Sequence, residues 1–175
     1  MTRYVAFLRA VNLGRRRVPM ATARDALERL GYGDVASFVN SGNLLFTSAD
    51  QASGCEHAIR TELEDVFGFE VTTFVRTGAE VRALATDRPF GPVAPGHTHF
   101  VLLPLKRLSA QDKADVEAMS NDHDEVVVIG RDVHWLIRSR STETTLGPTR
   151  WTQALPGNPT TARNTTMMAR LVAKL

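Results

Sequence analysis

A run of three arginines is the segment whose residue types and spacing are best suited to chemistry. Arg15, Arg16 and Arg17 follow Gly14 in a loop, residues 12–17, between a predicted strand and a predicted helix. Guanidinium groups and the N–H groups at the start of a helix both bind anions. The loop therefore predicts a contact with a phosphate group, in a small ligand or in a nucleic-acid backbone. A solvated basic loop is the alternative, because neither a Walker nor a Rossmann glycine pattern is present.

Arg9 and Asn12 precede that loop and are further candidates for ligand binding. Arg9 lies among apolar residues of the first predicted strand, so its charge is either at the strand's edge or buried and paired with a carboxylate. The carboxylate pairing is favoured. A small-molecule enzyme would be expected to carry a buried polar cluster around Arg9, Asn12 and the C-terminal Arg163 and Asn164.

The segment 40–43 could offer Ser41 and Asn43 to a ligand, although a plain turn around Gly42 is the favoured explanation. In a ferredoxin-like unit we expect this hairpin at the opposite end of the sheet from the end of the first strand. A strand of about five residues would separate the two by roughly 17 Å. An extended polymer could then contact both places, but one small ligand could not.

Arg163 and Asn164 stand where the last predicted helix begins. Asn164 is a natural N-cap, and Arg163 could bind an anion beside the helix N-terminus. The cap explanation needs no ligand, so both interpretations of Arg163 stay open.

Three histidines, His97, His99 and His134, lie on strands that could be neighbours and could in principle hold zinc. No carboxylate or cysteine completes the set at a recognisable spacing, so we expect no metal and no cofactor. The single cysteine, Cys55, excludes an internal disulfide. The acidic residues around Asp124 are expected to form a solvated turn.

Hydrophobic periodicity and turn residues predict the elements that must position these side chains. In the first half we expect strands at 4–11, 35–40, 43–47 and 69–76 and helices at 20–30, 53–67 and 78–85. In the second half we expect strands at 97–105, 125–129 and 133–137, an extended segment at 159–162, and helices at 109–119, 148–155 and 164–174.

This order predicts an α/β (α+β) fold of duplicated ferredoxin-like βαββαβ halves with additional C-terminal helices. We expect the first half at 1–86, a Pro/Gly-rich linker at 87–96 and a second half at 97–175 that drifts from the template after βαββ. The first and third strands are apolar on both faces. Such a sheet cannot stack bases as RNA-recognition domains do.

Composition sets broad limits on function. The chain has 175 residues, 43% hydrophobic and 23% charged, with a net charge of +2, which is ordinary for a globular protein. No leader or apolar run long enough to cross a bilayer is evident, so we expect a cytoplasmic protein without a membrane partner. The oligomeric state is not predicted.

Several motifs resemble one family. The sequence reads AFLRAVNLG at 6–14, VPM at 18–20, NSGNLLF at 40–46 and TARN at 161–164. In this order and spacing they resemble an uncharacterised bacterial family, domain of unknown function 1697. The resemblance implies a duplicated ferredoxin-like fold and no particular activity.

Three functions follow as hypotheses. The favoured one is binding of a phosphorylated ligand or nucleic-acid backbone through the arginine loop, which would be salt-dependent. The second is a small-molecule enzyme with a pocket between the halves, although no acid, base or nucleophile is evident. The third is a partner-binding protein with no small ligand, which would show an exposed apolar patch.

Overall fold

The computed structural model describes residues 1–9, 11, 14, 16–39, 42–139 and 142–175. Its first half consists of β1 (Thr2–Leu8), α1 (Met20–Arg29), β2 (Gly33–Ser37), β3 (Asn43–Ser48), α2 (Ala52–Phe67), β4 (Thr73–Thr77) and α3 (Gly78–Thr86). Its second half consists of β5 (Thr98–Pro104), α4 (Ala110–Glu117), β6 (Asp124–Ile129), β7 (Asp132–Ile137), α5 (Pro148–Ala154), β8 (Thr160–Asn164) and α6 (Thr165–Val172). None of the helices in these ranges is long and apolar enough to cross a membrane.

The two halves share one topology. The strand orders are β2-β3-β1-β4 and β6-β7-β5-β8, and every pairing within these sheets is antiparallel. Each half therefore follows the same βαββαβα order, which confirms the predicted duplicated ferredoxin-like fold. The second half keeps the template to its end, because α5 and β8 occupy the positions that α2 and β4 have in the first.

The chain forms two compact units. The first comprises residues 1–83 together with 170–175, and the second comprises residues 84–169. The first unit is thus discontinuous in sequence, since its last six residues follow the whole of the second.

The core of the first unit lies between its sheet and the helices α1 and α2. Tyr4, Ala6 and Leu8 lie on one face of β1 and pack in a cluster with Leu27 and Ile59 from the helices. The side chains on the other face, such as Phe7, are buried as well. Both faces of this sheet are covered, as the apolar sequence of β1 predicts.

Three aromatic rings pack together in the core of the second unit. The ring of Trp135 in β7 lies 5.4 Å from that of Trp151 in α5 and 5.4 Å from that of Phe100 in β5. Ser109 begins α4 through a reciprocal capping box with Asp112, in which each side chain accepts a hydrogen bond from the other residue's backbone N–H.

Each sheet has an edge strand in which one backbone N–H donates a hydrogen bond to a carboxylate from a neighbouring helix and not to another strand. Glu56 of α2 accepts a 3.0 Å hydrogen bond from the backbone N–H of Val75 in β4. Glu117 of α4 accepts one of 2.8 Å from Val128 in β6. These carboxylates occupy donors that would otherwise be available to a strand of another molecule.

The expected position of the β2–β3 connection is wrong. Phe7 pairs with Asn43, and the N–H of Leu8 donates to the carbonyl of Gly42 over 2.7 Å. Because β1 and β3 are antiparallel neighbours, β3 begins where β1 ends, so the connection lies at that same end of the sheet. It is also longer than a tight hairpin, since β2 ends at Ser37.

The expectation of a solvated turn at Asp124 is also wrong. This side chain is fully buried. Its carboxylate accepts hydrogen bonds from Trp135 Nε1 over 2.8 Å, Thr144 Oγ1 over 2.6 Å and the Thr145 N–H over 3.2 Å. The loop that precedes α5 therefore folds over the start of β6, and the carboxylate holds it there.

Candidate anion-binding site

Three connections meet at one end of the first sheet, where β1 stops and β3 and β4 begin. The Leu8 N–H bonds the Gly42 carbonyl of the β2–β3 connection, and the Arg9 N–H bonds the Thr72 carbonyl ahead of β4 over 2.9 Å. The loop from β1 to α1 also starts here. We call this end of the sheet the arginine end, because arginines from separate segments lie there.

The described residues of the arginine loop are exposed. Arg9, Gly14, Arg16 and Arg17 all have exposed positions, and Gly14 has a φ of +59°. Arg9 directly follows β1 and is exposed, so its charge lies at the end of the strand, and the favoured expectation of a buried charge is wrong. The buried polar cluster expected around Arg9 in an enzyme is therefore not formed by this side chain. The candidates Asn12, Arg15 and Ser41 lie outside the described residues.

Gly42 and Asn43 determine the local structure of the arginine end. A Cβ at Gly42 would lie 2.9 Å from Val11 Cγ2 and 3.0 Å from Leu8 Cβ, and the residue has a φ of +77°. The Asn43 side chain is fully buried and donates to the Phe38 carbonyl over 3.1 Å. These two residues therefore shape the β2–β3 connection from within, whereas the arginines lie outside.

Among the described residues of the first unit, two guanidinium groups lie over phenylalanine rings. The Arg16 Cζ is 5.3 Å from the ring centroid of Phe69, and the Arg170 Cζ is 5.9 Å from that of Phe38. Both distances fall within the range of cation–π contacts, which are worth about 0.5–1 kcal/mol at exposed sites. Each ring helps to hold a guanidinium group in place, and a guanidinium carries several N–H donors that can bind an anion.

Phe38, Phe69 and Arg170 were not among the candidates from sequence. Arg16 contacts a ring 53 positions away in the chain and Arg170 one that is 132 positions away. The only sequence signal is an aromatic residue beside a strand, which is too common to point to a site.

Arg163 and Asn164 belong to the second unit. The Asn164 side-chain oxygen accepts a 2.7 Å hydrogen bond from the Thr166 N–H, so it caps α6 as predicted. The Arg163 guanidinium donates to Thr161 Oγ1 over 2.7 Å and to the Ala162 carbonyl over 2.9 Å. Burial lowers the pKa of Arg163 to about 10, which leaves it charged at neutral pH.

Two of the three candidate histidines meet in the second unit. His99 Nε2 lies 3.0 Å from His134 Nδ1, and both rings are buried. His134 Nε2 lies 3.9 Å from Asp87 Oδ2, beyond hydrogen-bond distance. His97 precedes β5 and stays outside this pair. Within the part of the chain that the structure describes, no three His, Cys, Asp or Glu side chains form a metal-binding group.

The histidine pair is held neutral. Burial, with His134 and Arg88 nearby, lowers the pKa of His99 to about 4. Burial also lowers the pKa of His134, against the opposing attraction of Asp87 and Asp132. At neutral pH both rings are therefore uncharged, and the N–H of one imidazole donates a hydrogen bond to the ring nitrogen of the other.

Comparison with known proteins gives a family and a fold. A family model described as "Protein of unknown function (DUF1697)" matches residues 1–134, which include the motifs at 6–20 and 40–46 but not that at 161–164. A solved structure of a conserved bacterial protein from Streptococcus pneumoniae is similar over 100% of this chain and 98% of that chain, with a TM-score of 0.78 and 23% identity. That likeness concerns the fold alone. Comparison with curated proteins gives no match.

Proposed function

Since the chain belongs to the DUF1697 family, described only as being of unknown function, we propose from its own residues that it binds phosphate groups at the arginine end of the first unit. The ligand is either a phosphorylated small molecule or a nucleic-acid backbone, which present the same chemistry to a guanidinium group.

One observation carries this proposal: Arg9, Arg16 and Arg17 are exposed at the end of the sheet where two other connections meet. The stacking of Arg16 on Phe69 supports it, because a guanidinium that is already oriented loses less freedom when it binds. α1 also begins after Pro19 with no acidic residue in its first turn, so its N-terminal N–H groups add to the positive potential.

Acidic groups in nearby segments limit how far this potential extends. Glu70 follows Phe69 and is exposed, and Asp65 is exposed in the last turn of α2. Both would repel a phosphate that approached from the α2 side. An anion is therefore expected on the side of the arginine loop.

The proposal is tested by replacing the three arginines together. In Arg9/Arg16/Arg17→Ala, we expect binding of a fluorescent thymidine oligonucleotide of about 12 nucleotides to weaken at least tenfold near 50 mM salt. The slope of log K against log salt should become shallower by about 2, since each phosphate contact on a single strand contributes about 0.7. Fluorescence anisotropy measures both quantities, and parallel titrations with ATP and inorganic phosphate identify the smaller ligands.

The matched control is Arg3/Arg29/Arg82→Ala. It removes the same charge from the same unit, but Arg3 and Arg82 lie beside Gly78 after the end of β4, and Arg29 lies at the last turn of α1. The control should bind like the wild type within about twofold. Equal losses in both triple variants, or no binding of any of the three probes by the wild type, would overturn the proposal.

A further inference from the structure

We infer that the phosphate groups bound at the arginine end belong to one continuous nucleic-acid backbone, contacted at several successive phosphates and without reading of the bases. This inference rests on the proposed function and names its ligand. It is argued from the separation between Arg16 and Arg170 and from the burial of the two phenylalanine rings beneath them.

The rings beneath Arg16 and Arg170 belong to segments that adjoin opposite edges of the sheet. Phe38, under Arg170, follows β2, and its N–H bonds the Asn43 carbonyl at the start of β3. Phe69, under Arg16, precedes β4. β2 and β4 are the two edge strands of the sheet. Three strand spacings of about 4.8 Å separate them, or about 14 Å in all.

That separation is too wide for a single phosphate. Successive phosphates of one strand advance about 3.4 Å along a duplex axis, so a strand in that geometry places about four of them along 14 Å, and a more extended strand places fewer. A mononucleotide could reach the arginines on one side only. A chain of phosphates could reach both sides, and Arg9 and Arg17 would face its middle, because β1 lies between the two edges.

The surroundings of the rings exclude base stacking as the main contact. Phe38 and Phe69 are each half-buried, and a guanidinium group lies over each ring. The sheet offers no alternative, since the β1 side chains from Tyr4 to Leu8 are buried on both faces. Stacking platforms need exposed ring faces. Contacts through phosphates alone make binding independent of sequence and strongly dependent on salt.

The experiment measures affinity against ligand length. Thymidine oligonucleotides from one to about twelve nucleotides, a mixed-sequence oligonucleotide and linear polyphosphate are titrated by competition near 50 mM salt. We expect affinity to rise steeply up to about four or five nucleotides and then to level off. The mixed sequence should bind within about threefold of thymidine.

Single-residue variants then test the contacts on each side of the arginine end. Arg16→Ala and Arg170→Ala should each make the salt slope for a long oligonucleotide shallower by about 0.7, and Arg29→Ala should leave it unchanged. Phe38→Leu and Phe69→Leu keep the charge but remove the ring, and each should weaken binding about threefold. Glu70→Gln, which removes a repulsive charge, should strengthen it.

The outcomes separate this inference from the proposed function. If ATP binds as tightly as the longest oligonucleotide, or if Arg170→Ala binds like the wild type while Arg9/Arg16/Arg17→Ala does not, a small phosphorylated ligand is indicated and only this inference falls. Binding of polyphosphate without binding of oligonucleotides would also overturn it. If no phosphate-bearing probe binds, both this inference and the proposed function are overturned.

Discussion

The buried imidazoles His99 and His134 make the stability of the second unit depend on pH. Their ring nitrogens are 3.0 Å apart, and only one proton fits between them. Burial lowers the pKa of both, that of His99 from 6.5 to about 4. In the unfolded chain each would titrate near 6.5. The unfolded state therefore takes up protons first as the pH falls, and acid favours unfolding.

We predict a loss of stability between about pH 6.5 and pH 4, to which His99 contributes up to about 3 kcal/mol. His99→Asn should flatten this part of the pH profile of urea unfolding. The exposed His123 provides the matched control, and His123→Asn should keep the wild-type profile. A His99→Asn profile parallel to that of the wild type would show that the pair does not titrate as inferred.

Single residues also show what the sequence could not indicate. Asp124 stands in an acidic stretch that is typical of an exposed turn, and its burial depends on Thr144 and Thr145, which lie about 20 positions further along the chain. The pairing of Arg16 with Phe69 is equally remote. Asn164 and Ser109, by contrast, were predictable as caps, because a cap depends on residues only two or three positions away.

At the scale of elements, Gly42 packs closely against the end of β1 and the residues that follow it. Its φ of +77° disfavours any residue with a Cβ, and that Cβ would lie within 3.0 Å of both Val11 and Leu8 side-chain atoms. Gly130, in the β6–β7 turn, has a similar φ of +62°, but a Cβ there would have nothing within 4 Å. A comparison of substitutions at Gly130 and Gly42 therefore distinguishes the cost of backbone strain alone from the added cost of steric overlap.

Gly130→Ala is expected to lose about 1 kcal/mol of unfolding free energy, from the left-handed backbone alone. Gly42→Ala should lose at least about 2 kcal/mol more, because the neighbouring strand end has to move, and it should also weaken anion binding at the arginine end. Chemical denaturation and the oligonucleotide titration measure the two effects. Equal losses of stability at the two positions would mean that the packing at Gly42 relaxes freely.

Elements were the most predictable level of the structure, and their arrangement less so. The periodicity of the helices and strands indicated the element order and the duplicated fold. The end of the sheet at which the β2–β3 connection lies depends on which strands pair. The periodicity of the sequence does not indicate that pairing, and the predicted position of the hairpin is wrong. With the observed pairing, the arginine loop and Gly42 lie together instead of a strand's length apart.

At the scale of the whole molecule, the chain crosses twice between its compact units. Leu171 is fully buried and belongs to the first unit, although its neighbours before residue 170 belong to the second. Leu171→Ala should destabilise by about 2–5 kcal/mol, as other buried leucine truncations do. Hydrogen exchange followed by mass spectrometry should then show faster exchange in peptides from 1–83 than in those from 84–169. Faster exchange confined to 84–169 would contradict the division into units.

The discontinuity of the first unit has a consequence for synthesis on the ribosome. N-terminal domains usually fold first, as they emerge. Here residues 1–83 emerge without 170–175, which are added only after the whole second unit. At about 5–20 residues per second, that delay lasts on the order of ten seconds. Throughout it, the nascent first half lacks Leu171 and the Arg170 side chain that lies over Phe38, so this is the stage of synthesis at which binding by a chaperone would protect it most.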